Sequence, residues 1–270
     1  MRERKWKYLE SYPMSLDPLT DLTDKSPEDV LKPEYLQAYQ ALHKDIWGRL
    51  IHVNTNLTIL EIIQNYPFHH LYAPHDNIFW TMVYWNFLYI SINFLHTLTS
   101  DQGDEKHTLT RFSRRILNDW INNSHKSEYQ KCLKNANLDK NLSPIRAKIS
   151  QMRHIVIAHR LLDNARAHVM DVEGVTLAEA RQAYEDVQKL FRATTFGTEY
   201  VANFYIGGTV GGKPVKKDIE ELLDLIVKDS CWLNEPERRA PFWQDIRPYR
   251  SAEDIAELNK WRAKFNLPPA

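Results

Sequence analysis

The stretch from Asn77 to Ser100 constrains this chain most: it contains no Asp, Glu, Lys or Arg, and most of its positions are apolar. An uncharged run of that length either spans a bilayer or forms the central helix of a packed bundle. Thr81, Asn86, Ser91, Asn93, His96 and Thr97 interrupt it, and its Tyr and Trp residues lie throughout rather than at its ends. A membrane span would gather those aromatics at its two interfaces. The buried helix is therefore expected, with no membrane association. Only 8 glycines among 270 residues also argue against the many tight hairpins of an all-β plan.

Caps and prolines divide the rest. Residues 1–33 hold Pro13, Pro18, Pro27 and Pro33 and read as an irregular lead-in, with a short turn opened by Ser26-Pro27. A long amphipathic helix follows over about 34–66, closed by Pro67. Asp76 is placed to cap the aromatic helix, about 77–99. A short basic helix is expected over about 108–122 and another near 127–136. Ser143-Pro144 reads as cap and first helical residue of a helix to about His168. Thr176-Leu-Ala-Glu179 is a capping box for a helix to about residue 202. The expected fold is all-α: an up-and-down helical bundle over 34–203. A C-terminal extension over 204–270 adds a small hairpin near 205–215 and two short helices, the second capped by Ser251 with Asp254.

Several signals point to no ligand. Gly207 to Lys213 matches the first part of a phosphate-binding loop, but Pro214 stands where Ser or Thr must hold magnesium. A glycine-rich turn is the plainer reading. His69, His70 and His75 have no specific zinc spacing and read as solvated loop histidines. No metal and no cofactor are expected. Trp232, Trp243 and Trp261 are expected to dock on the bundle, since exposed Trp clusters invite aggregation. Cys132 and Cys231 are isolated, and Met1 to Lys7 has no apolar run behind it; both fit a cytoplasmic location.

The formal charge balances at 35 against 35, yet the middle of the chain is basic. Between Lys106 and His168, thirteen Lys or Arg face four acids, Asp119, Glu128, Asp139 and Asp163. Arg111, Arg114 and Arg115 share one helix face. With Lys126, Lys131, Lys134, Arg146, Lys148 and Arg160 they suit an RNA phosphate track, although a solvated basic face looks the same.

Inside that window lies Arg153-His154-Ile155-Val156-Ile157-Ala158-His159. Ile145, Ile149, Met152, Val156 and His159 form an apolar seam, so His159 falls in phase with the buried side. Arg153 lies about 120° around the axis from His159 and about 9 Å along it. The two do not share a face within one helix; a long Arg can still curve towards His159, and a symmetric partner helix can bring both to one site. The plain alternative is a core or interface histidine with Arg153 pairing an acid. Asn86 and Asn93, seven residues apart, stack along the aromatic helix. As buried amides they would orient His159 or fix the register of the bundle.

The order Arg153, polar His154, four residues and His159, with small Ala158 before the histidine, resembles the mark of the HEPN superfamily. The preceding helix order is similar too: long amphipathic, aromatic-rich (Trp80 to Ser91), then short and basic. The resemblance is to the AbiU-type branch, associated with abortive phage infection. It covers about residues 34–200 and leaves the tail from 204 outside. It implies a metal-independent endoribonuclease acting as a homodimer, in a toxin-like or anti-phage role, with an antitoxin protein as a further partner. On that reading His159 takes the proton from an RNA 2′-OH, Arg153 steadies the scissile phosphate, and His154 orients it or protonates the leaving oxygen. Some members carry a modified Tyr two residues after the histidine; Leu161 stands there, so that control is not expected. The competing expectation is a non-catalytic helical dimer that binds RNA or a partner protein through the same surface.

Overall fold

In a computed structural model the described residues are 22, 25–71, 78–100, 108–162, 176–196, 209–210, 213–234 and 251–270. A turn, α1 (Pro27–Val30), and a 3₁₀ turn, Pro33–Tyr35, precede α2 (Leu36–Gln64). Along α2 the residues Tyr39, Leu42, Ile46, Leu50, Val53, Leu57 and Leu60 are buried, in steps of three and four that keep one stripe inward. The uncharged stretch forms α4 (Ile78–Thr99), which buries Tyr84, Leu88, Ile92, Leu95 and Leu98. It packs against α2 on one side and α7 (Leu138–Leu162) on the other, and α8 (Leu177–Arg192) touches all three. The result is an all-α bundle around one core of mixed aliphatic and aromatic side chains. No helix among the described residues is long and apolar enough to cross a membrane.

Two helix boundaries differ from expectation, each for a local reason. The helix α7 begins at Leu138, so Pro144 lies inside it rather than at its start. The preceding α6 (Asn123–Ala136) ends on Asn137 in the left-handed conformation, φ 46°. Asn141 donates its amide to Asn137 O at 2.9 Å and its side chain to Ala136 O at 2.7 Å, so the new helix is already running before the proline. Pro144 then only removes one ladder donor. The expected continuation to His168 lies outside the described residues. The helix α8 stops at Arg192, not near 202. Thr194 turns its hydroxyl back to Phe191 O (2.9 Å), and the buried Tyr39 hydroxyl accepts the Phe196 amide at 3.0 Å, drawing the chain off the helical path. Both expected capping boxes, Thr176 with Glu179 and Ser251 with Asp254, are present.

Beside the bundle, α5 (Leu109–Arg115) runs into a π-helical turn, Ile116–Trp120. The hairpin is a two-residue antiparallel ladder between β1 (Thr209–Val210) and β2 (Lys213–Pro214). Among the described residues three helices follow rather than two: α9 (Val215–Lys228), α10 (Cys231–Asn234) and α11 (Ala252–Lys264). Their Leu223, Val227, Leu233, Leu258 and Trp261 build a second core against Ile62, Ile63 and Tyr66, with Phe68 of α3 (Phe68–Leu71). Arg262 closes it from within, donating to the Leu233 and Pro268 carbonyls. Trp261 is buried here, and Trp232 stacks on His70 at 5.0 Å and 7°. His70 is thus no solvated loop histidine: it sits on α3 under the tail, with Nε2 3.1 Å from a Glu257 carboxylate oxygen. Trp243, His75, Asp76 and the His69 side chain lie outside the described residues.

Candidate functional site

Where α7 crosses α4, Ile149 and Met152 are buried and Arg153 lies half-buried at the edge of that seam. Its Nε donates to Asn93 Oδ1 at 3.2 Å. Among the described residues its two terminal nitrogens have no hydrogen bond or ion pair. Asn93 is half-buried on α4, so its amide oxygen fixes one edge of the guanidinium and leaves the opposite edge without a partner among the described residues. His154 is exposed. His159 lies on α7, and its side chain, like that of Arg160, is outside the described residues.

The asparagine pair does not behave as a pair. Asn86 is exposed, contrary to expectation, because it lies on the outer face of α4. On that face Phe79 (64%), Met82 (58%) and Ile90 (40%) are also open to solvent, at steps of three and four about Asn86. The apolar face is wider than the described neighbouring helices cover.

The basic residues divide into two groups. Arg146 is spent on the bundle: its Nε donates to Thr99 O at 2.6 Å, placing a cation at the C-terminal end of α4. Lys148 is 3.7 Å from Glu179. Arg111, Arg114 and Arg115 line an open pocket of about 160 Å³ with Asn118 and Asp119. Arg114 and Arg115 are exposed. Thr108 caps their helix by accepting the Arg111 amide at 3.3 Å.

Two charged or titratable groups emerge only in three dimensions. Arg181 on α8 makes a two-pronged pair with Glu61 on α2, at 2.7 and 2.8 Å, and also donates to Asn54 and Thr58. No spacing signal marks it, because its partners are more than a hundred residues away. His43 is buried among Tyr39, Trp47, Phe112 and Phe191. Burial pushes its pKa down to about 4, so it is neutral near pH 7.

Comparison with protein-family models, with curated proteins and with solved structures returned no match.

Proposed function

We propose that the chain is a HEPN-type, metal-independent endoribonuclease that works as a homodimer. The observation that supports this most is the half-engaged Arg153, held by Asn93 through Nε while its terminal nitrogens, which meet no partner among the described residues, suit a phosphate. Arg153 lies on the helix that also carries His154 and His159 in the Arg-polar-x₄-His order. In the reaction His159 accepts the proton of a ribose 2′-OH and the 2′-oxygen attacks the adjacent phosphorus. The bond to the 5′-oxygen breaks, and that oxygen takes a proton from His154 or water. The products are a 2′,3′-cyclic phosphate and a 5′-hydroxyl. Arg153 offsets the charge that builds on the phosphoryl oxygens.

The exposed Phe79, Met82 and Ile90 support pairing with a second copy, because α4 also tethers Arg153 of α7 through Asn93 and its outer face would be covered by a two-fold partner. A cytoplasmic toxin-like or anti-phage role, held in check by an antitoxin protein, completes the proposal and rests on the resemblance alone. The test is purified protein with total RNA in EDTA. Cleavage leaving 2′,3′-cyclic ends, lost in Arg153→Ala and in His159→Ala, is the expected result. RNA that stays intact, or cleavage unaffected by both substitutions, would overturn it.

A further inference from the structure

The geometry points to a second RNA contact, separate from Arg153, in which the α5 pocket holds one backbone phosphate and Asp119 accepts the 2′-OH of the adjoining ribose. This rests on the proposed RNA substrate but not on catalysis. Arg111, Arg114, Arg115 and Asn118 stand at positions 0, 3, 4 and 7 of one helix face, and the wider π turn adds Asp119 to the same pocket. At about 160 Å³ the space takes a phosphate group but not a whole nucleotide, since sites that enclose drug-sized ligands start near ~300 Å³. An open pocket of that size suits one link of a longer strand. For a bare anion, Asp119 beside three guanidiniums would be a liability. For a ribonucleotide link it supplies the acceptor that a 2′-OH needs and a deoxyribose does not.

The pocket is also braced in advance. Phe112, Ile116 and Trp120 bury the opposite face of the segment. The π turn closes through the Ile121 amide on Ile116 O at 3.0 Å. Lys32 donates its amide to Trp120 O (2.8 Å) and its ammonium to Asp119 O (2.6 Å), and the Asn122 amide reaches Val30 O at 3.0 Å. The rim is therefore fixed in place, and Lys32 adds a further positive charge beside it.

The experiment measures anisotropy of a labelled single-stranded 12-mer, as RNA and as DNA, in the His159→Ala background so that the strand stays whole. The double variant R114E/R115E should weaken RNA binding at least tenfold and flatten the dependence of log affinity on log salt by more than one. The control K228E/K260E, on exposed lysines of α9 and α11, should change affinity less than threefold. Asp119→Ala should shrink the RNA-over-DNA preference while leaving DNA binding as tight or tighter. An equal loss in both double variants would mean a general field effect and would overturn the pocket, as would R114E/R115E binding RNA like its parent; an unchanged RNA-over-DNA preference in Asp119→Ala would overturn the ribose contact. Should the unsubstituted protein fail to cleave RNA while these binding effects hold, the catalytic reading falls and the pocket stands.

Discussion

At the α2–α8 junction Arg181 uses its whole guanidinium: both edges meet Glu61, Asn54 and Thr58. At the α4–α7 junction Arg153, also half-buried, uses only Nε among the described residues, on Asn93. The two sites share an asparagine oxygen from a neighbouring helix and differ in what remains. Arg181 has its charge answered inside the chain and has nothing left for a ligand. Arg153 has no carboxylate among the described residues, and the four N–H donors of its terminal nitrogens meet no partner there. Arg181 is fully spent on the fold, while Arg153 is tied among the described residues by a single edge, which is what the proposed phosphate contact requires.

Four substitutions sharpen or break that contrast. Arg153→Ala should cost at least about a hundredfold in RNA cleavage, as removal of one charge-stabilising donor does, with the urea midpoint almost unmoved. A large drop in that midpoint would make Arg153 a second Arg181. Arg181→Met should lower unfolding free energy by about 2–3 kcal/mol by stranding the Glu61 carboxylate, measured by urea denaturation, and should leave cleavage by the folded fraction intact. The third concerns acid. The folded pKa of His43 is about 4 against 6.5 in the unfolded chain, so only the unfolded chain takes up that proton between the two. Stability is full above about pH 6.5, falls as pH drops through that window, and loses nothing more from this group below about 4. In His43→Phe this contribution disappears; identical pH profiles for variant and parent would refute the assignment. The smallest effect is Thr176→Ala, about 1 kcal/mol from one lost helix cap, read as a shifted denaturation midpoint without change in cleavage.

What could be read from the chain was what is encoded locally. The uncharged run becomes α4, and the capping boxes at Thr176 and Ser251 form because their partners are three residues away. Pro144 misled because the signal that starts α7 is the left-handed Asn137 with Asn141 behind it, a backbone event with a weak composition mark. The end of α8 was equally illegible, since Tyr39 imposes it from 157 residues away. At the candidate site the Arg–His order was visible. The role of Asn93 was not: seven-residue spacing coupled it to Asn86, whereas packing sends Asn93 to Arg153 and Asn86 to the surface. The division of the basic residues also needed the fold, because Arg146 is captured by a helix end while Arg114 and Arg115 remain outside.

The length of α2 has a practical consequence. One helix supplies Tyr39 through Leu60 to the first core and Ile62 and Ile63 to the second. A fragment cut near residue 203 would contain every helix of the bundle yet carry Ile62, Ile63, Tyr66 and Phe68 uncovered at one end. Such a fragment would tend to self-associate, and any stoichiometry measured on it would report that raw end rather than the outer face of α4. Oligomeric state has to be determined on the full chain.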